Sequence, residues 1–139
     1  MATKQKSAIC VILSALLLTM IFIGCGEENK MTLPIELQIR IRQDYFNQFV
    51  IPTGPWEFDE VVIEKVYGKF EGFIVVRFSQ TVGWPGPWEM EIGGVMFDGC
   101  LAWRTIAWKD GQILRIADAF ENGILSKTDI QNIANLSQN

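Results

Sequence analysis

Between residues 34 and 49 apolar side chains recur every four positions: Leu37, Ile41, Tyr45 and Phe49, with Phe46 on the same side. That spacing predicts an amphipathic helix, with Arg40, Gln43, Asp44 and Asn47 mostly on the other side. Pro34 suits its first turn. Residues 37–42 also alternate as a strand would, but length and the later aromatics favour the helix. Pro52, Gly54 and Pro55 then break it.

A β-rich stretch follows. Residues 61–67 are rich in β-branched side chains, and Gly68 and Gly72 bracket an expected turn. In 73–79, Ile74, Val76 and Phe78 fall on one face and Val75 and Arg77 on the other. A third strand is expected over 88–97, with Gly93-Gly94 as a bulge or bend. A fourth is expected over 101–108. Asp110-Gly111 predicts a tight hairpin turn into a strand at 112–115. Residues 116–121 then read as a short helix stopped by Asn122-Gly123, which tolerate positive φ. Ser126 and Asp129 have capping-box spacing and open a helix over about 127–135, with Ile130, Ile133 and Ala134 as its inner stripe.

The predicted fold class is α+β: an N-terminal helix, an antiparallel meander of four or five strands and two short C-terminal helices. The helices are expected to cover one face of the sheet.

Charge adds a location. Lys4 and Lys6 precede an uncharged run from Ser7 to Gly24, which ends at Cys25. A positive start, an apolar middle and a small residue at the exit describe an export signal. Phe22-Ile23-Gly24-Cys25 resembles the lipobox of bacterial lipoproteins, in which the cysteine is lipidated and becomes the mature N-terminus. The 17 residues of 8–24 are short for a spanning helix, which takes about 20. An ordinary cleaved signal and an uncleaved anchor are the alternatives. The expected organisation is a signal at 1–24, a lipidated cysteine with its tether at 25–33, and one domain at 34–139. The location is then the outer face of the cell membrane, reached through lipid on Cys25.

Removing 1–24 from the 139 residues leaves 115, enough for one core. Lys4 and Lys6 leave with the signal, so 10 basic side chains face 16 acidic ones, a net of −6. Such a chain gains nothing from counterion release on a phosphate backbone, so nucleic acid is not an expected partner. Of three cysteines, Cys10 goes with the signal and Cys25 takes lipid, which leaves Cys100 as a small buried apolar residue. Without lipid, a Cys25–Cys100 disulfide becomes available.

Three stretches carry a family resemblance: Ile63-Glu64-Lys65-Val66-Tyr67-Gly68-Lys69-Phe70-Glu71-Gly72, Ala107-Trp108-Lys109-Asp110-Gly111-Gln112, and residues 117–130 from Ala117-Asp118-Ala119-Phe120 to Thr128-Asp129-Ile130. Over about 34–136 the chain resembles a group of small secreted proteins and lipoproteins of Firmicutes-type bacteria. It departs from them in the 84–88 loop. The resemblance implies export and one small α+β domain; it implies no activity, cofactor or catalytic residue.

The least ordinary segment is Gly83-Trp84-Pro85-Gly86-Pro87-Trp88. Its prolines cannot donate to a sheet ladder, so it is a loop or an edge. Its tryptophans either fold back over the sheet or present flat apolar faces to a glycan or protein. Gly-Pro-Trp-Glu occurs at 54–57 and again at 86–89, in both cases before an expected strand. If those strands start at one end of the sheet, Trp56, Trp84 and Trp88 share a candidate binding surface; coincidence is the simpler reading.

Glu89 and Glu91 point the same way on a strand. A solvated face explains them; a cation site or acid–base pair lacks a second motif. With no histidine, neither a nucleophilic triad nor a zinc site has its parts, and no Gly-rich phosphate loop occurs. No catalytic residue, metal ligand or cofactor is assigned. The functional expectation is a binding module at the cell envelope, with an envelope protein or glycan as ligand. The alternatives are a secreted inhibitor or immunity-type protein, and a small carboxylate hydrolase.

Overall fold

The structure, a computed structural model, describes residues 32–84 and 86–138. The expected signal and the lipid site Cys25 lie outside the described residues, as does Pro85. The fold is α+β. It runs α1 (Ile35–Tyr45), β1 (Ile63–Phe70), β2 (Phe73–Phe78), β3 (Glu89–Ile92), β4 (Val95–Asp98), α2 (Gly99–Arg104), β5 (Thr105–Lys109), β6 (Gln112–Arg115), α3 (Ile116–Glu121) and α4 (Lys127–Ser137).

β1, β2, β5 and β6 form one antiparallel sheet in that order, while β3 and β4 pair only with each other. The stretch expected as one strand over 88–97 is therefore a hairpin. Gly93 and Gly94 have φ of 59° and 82° and form its turn, not a bulge. Two successive positive φ values are the type I′ signature, which reverses the chain instead of kinking it. Glu71-Gly72 and Asp110-Gly111 turn in the same way, at φ of 52° and 83° and of 47° and 90°. Gly68 lies inside β1 at φ 132°, where the pairing with β2 slips by one residue, rather than in the turn.

The expected strand over 101–108 is also corrected. Its first half is α2, because the Asp98 carboxylate accepts from the Leu101 amide and caps a helical turn. An apolar run such as Leu101-Ala102-Trp103 does not by itself separate helix from strand.

The helices cover both faces of the sheet, not one. Alternation along β2 sends Ile74, Val76 and Phe78 toward α1, where they pack with Ile41, Tyr45, Val50, Ile106, Trp108 and Ile113. Phe73 and Val75 face the other way, toward Ile116, Ala119, Leu125, Ile130 and Ile133 of the C-terminal segment and Ile92 and Phe97 of the hairpin. A sheet buried on both faces doubles the apolar area available per strand. The Tyr45 ring stacks on Phe78 at 3.8 Å, a contact worth about 0.5–1.5 kcal/mol beyond area burial. After Tyr45 the helix widens into a π turn, with the Ile51 amide donating to the Phe46 carbonyl. Gly123, at φ 74°, ends α3: its amide donates to Phe120 and that of Ile124 to Ala119. Ser126 and Asp129 cap α4 reciprocally, as their spacing predicts.

Candidate functional site

The two Gly-Pro-Trp-Glu segments do come to one end of the sheet. β1 starts where β2 ends, since Ile63 pairs with Phe78. The 79–88 loop leaves from that end, and α2 returns there to feed β5. Gly83 abuts the residue just before the first segment: a Cβ built on it would lie 3.5 Å from Thr53 Cγ2. The first copy leads into a short 3-10 turn, Phe58–Glu60, before β1; the second leads directly into β3.

The three tryptophans nevertheless have three environments. Trp56 is half-buried against the α1-side core. Trp84 is half-buried too, with its ring centre 5.4 Å from that of Trp103. Its seat depends on two glycines. A Cβ at Gly86 would come 2.6 Å from the Trp84 ring, and one at Gly99 would come 2.9 Å from it and would also strike the Pro87 carbonyl. The Gly99 amide closes the loop by donating to the Trp88 carbonyl at 2.9 Å. Trp88 itself is 91% exposed. The loop is thus pinned at Trp84 and displays Trp88.

Trp103 extends this packing inward. Its indole Nε1 donates to the Val82 carbonyl at 2.9 Å. The Arg115 guanidinium carbon lies 3.7 Å from the Trp103 ring centre and 4.3 Å from that of Phe49. Arg115 Nη1 also donates to the Trp103 carbonyl. Burial lowers the Arg115 pKa; the nearby Tyr45 hydroxyl and Asp118 oppose that. Burial likewise raises the Tyr45 pKa against the pull of Arg115 and Arg104. The Tyr45 oxygen is buried without a hydrogen bond. Sequence reasoning missed Arg115 and Trp103, because nothing local marks a basic residue at the end of a short strand as buried.

Glu89, Glu91, Met96 and Asp98 are all exposed on the hairpin, while Ile92 and Phe97 are buried. Glu89 and Asp98 are register partners across the hairpin and share its solvent face with Glu91. Among the described residues no group of three or more His, Cys, Asp or Glu side chains is placed to hold a metal ion. Cys100 is half-buried and free, with Sγ 3.0 Å from the Thr81 hydroxyl.

Comparison with protein-family models, with curated proteins and with solved structures found no match.

Proposed function

We propose that this chain is an extracytoplasmic lipoprotein, held at the outer face of the cell membrane by lipid on Cys25, whose α+β domain binds an envelope protein or glycan. The observation that carries the binding reading is Trp88, 91% exposed on a loop fixed by the buried side of Trp84. Holding an apolar ring in water costs about what its burial would return, so a ring presented on a fixed loop suits a partner surface. Preorganisation of that loop lowers the ordering cost of binding. The leader that ends in Gly24-Cys25 supports the location, and two acyl chains on one sulfur suffice for stable anchoring.

A photo-crosslinking residue at position 88, in cells fed a labelled fatty acid, tests both halves. The expected result is label on the wild type, none on Cys25→Ala, and an envelope adduct from position 88 but not from position 84. Absence of label defeats the anchor, and absence of an adduct specific to position 88 defeats the binding surface.

A further inference from the structure

The alternation that lets residues 37–42 read as a strand leaves α1 with apolar side chains on two sides. Leu37, Ile41 and Tyr45 pack into the core. Ile35, Ile39, Arg42 and Phe46 recur at helical spacing and form a second stripe. Ile35 is 63% and Ile39 43% exposed, and Phe46 is half-buried. The charged member of the stripe is occupied. Arg42 Nε donates to the Val61 carbonyl at 2.7 Å and Nη2 to that of Phe58 at 3.0 Å, and the guanidinium carbon lies 4.4 Å from the Phe58 ring centre. Phe46 meets the same ring edge-on at 5.8 Å. α1 therefore offers solvent an apolar strip beside its buried one.

The place where the chain enters the domain sets which surface lies within reach of that strip. Leu33 is 4% exposed in the α1-side core, and the Gln38 side-chain amide donates to its carbonyl at 2.7 Å. Entry is thus fixed at Thr32 and Leu33, within three residues of Ile35. Cys25 is seven residues before Thr32, and seven extended residues reach at most about 25 Å. Lipid on Cys25 keeps the near end of α1 within that distance of the bilayer. A tether so short gives an effective concentration on the order of millimolar, so a weak apolar contact suffices.

Charge selects the same end. Glu36 and Asp44 balance Arg40 and Arg42, so α1 is neutral on a chain whose net charge is −4. Glu57, Asp59 and Glu60 are exposed around Phe58, at the far end of the stripe. Anionic head groups repel that end. Ile35 and Ile39, beside the tether, are left as the point of contact.

We propose that the domain lies on the outer leaflet that carries its anchor, with Ile35 and Ile39 inserted at the head-group level. This rests on the reading that Cys25 is lipidated. A helix lying in the interface buries its apolar face about 5–10 Å deep. Two isoleucines one turn apart are a small face of this kind, which orients a tethered domain without recruiting a free one. The opposite face of the sheet, on which the hairpin opened by Trp88 packs, then turns away from the membrane.

A photo-crosslinking residue in place of Gln43, which is exposed one turn beyond Ile39, tests the contact in cells grown with tritiated fatty acid and radiolabelled phosphate. The acyl chains of the anchor carry no phosphorus, so phosphorus label on the protein reports an adduct with a neighbouring phospholipid. Tritium is expected on the protein, with a phospholipid adduct at position 43 at least about fivefold above that at position 88. Combining Ile35→Ser with Ile39→Ser is expected to lower the position-43 yield to the position-88 level. Both isoleucines are exposed, so the double variant is expected to keep the melting temperature of the parent; the comparison of positions 43 and 88 decides without it. Absence of tritium removes the anchor and this proposal with it. Tritium with equal phospholipid adducts at 43 and 88, or a yield at 43 that the folded double variant retains, overturns the proposal and leaves the anchor standing. A protein adduct at 43 in place of phospholipid assigns the strip to a second copy or another envelope protein, and overturns the proposal too.

Discussion

The Arg115 guanidinium carbon lies 3.7 Å from the centre of the Trp103 ring, in a side chain only 8% exposed. The Phe49 ring centre lies 4.3 Å from the same carbon, and among the described residues no carboxylate makes an ion pair with Arg115. Aromatic faces, rather than an anion, hold this buried cation. Arg115→Ala is expected to destabilise the domain by about 2–4 kcal/mol, because it removes packing and leaves the Trp103 carbonyl unpaired. Arg115→Met retains the stem and is expected to cost about half as much. Urea unfolding of the two variants checks the order; equal losses would argue against the role of packing.

The Tyr45 hydroxyl is buried beside the Arg115 guanidinium without a well-formed hydrogen bond, and burial raises its pKa. The folded protein therefore holds the phenol proton more tightly than the unfolded chain does. The stability contributed is present in full below the unfolded value of about 10 and is lost as pH rises toward the higher folded value. Arg115 runs the other way: burial lowers its pKa, so its contribution to stability rises as pH climbs from the folded value toward the unfolded one. Tyr45→Phe removes an unsatisfied oxygen while retaining the stack on Phe78. It is expected to raise stability by about 1 kcal/mol at neutral pH and to flatten the decline above pH 10. Melting curves across pH 7–11 measure both effects; an unchanged alkaline slope would remove Tyr45 as its source.

Trp84 and Trp88 stand four residues apart and are expected to respond oppositely. Trp84→Ala empties the seat formed by Gly86, Gly99 and Trp103 and is expected to cost about 2–4 kcal/mol. Gly99→Ala pushes a methyl group into the same ring and the Pro87 carbonyl, with a cost of about 1–3 kcal/mol. Trp88→Ala is expected to stay within about 0.5 kcal/mol of wild type. Thermal denaturation of the three variants decides; a Trp88→Ala loss as large as that of Trp84→Ala would make both rings core.

Gly93 and Gly94 share a turn but not an environment. Both have positive φ, so alanine costs about 1 kcal/mol at either from backbone strain alone. At Gly93 the new Cβ would also lie 2.9 Å from the Phe120 ring, whereas nothing lies within 4 Å at Gly94. Gly93→Ala is therefore expected to be the more damaging by about 1–2 kcal/mol. Equal effects on the unfolding midpoint would show that the hairpin does not dock on Phe120.

Local chemistry was legible from the chain. Asp110-Gly111 turns, Asn122-Gly123 ends a helix and Ser126 caps the next because each depends on neighbours a few residues away. The alternation of 73–78 assigned both faces of β2 correctly, since the pleat has a period of two. The 88–97 segment was misread because two glycines permit either a bulge or a reversal. The 101–108 segment was misread because its apolar run suits strand and helix alike, and the Asp98 cap decides for a helix over its first half.

The sequence by itself determined an α+β chain, the Asp110-Gly111 turn, the Asn122-Gly123 helix stop and the Ser126 cap. Only the tertiary structure decided that helices cover both faces of the sheet, that Trp84 is seated while Trp88 is displayed, and that Arg115 is buried beside the rings of Trp103 and Phe49. Turns and caps are settled by φ and by hydrogen bonds over three to five residues. Burial depends on strand register and on packing between residues far apart in the chain, and no local pattern encodes those.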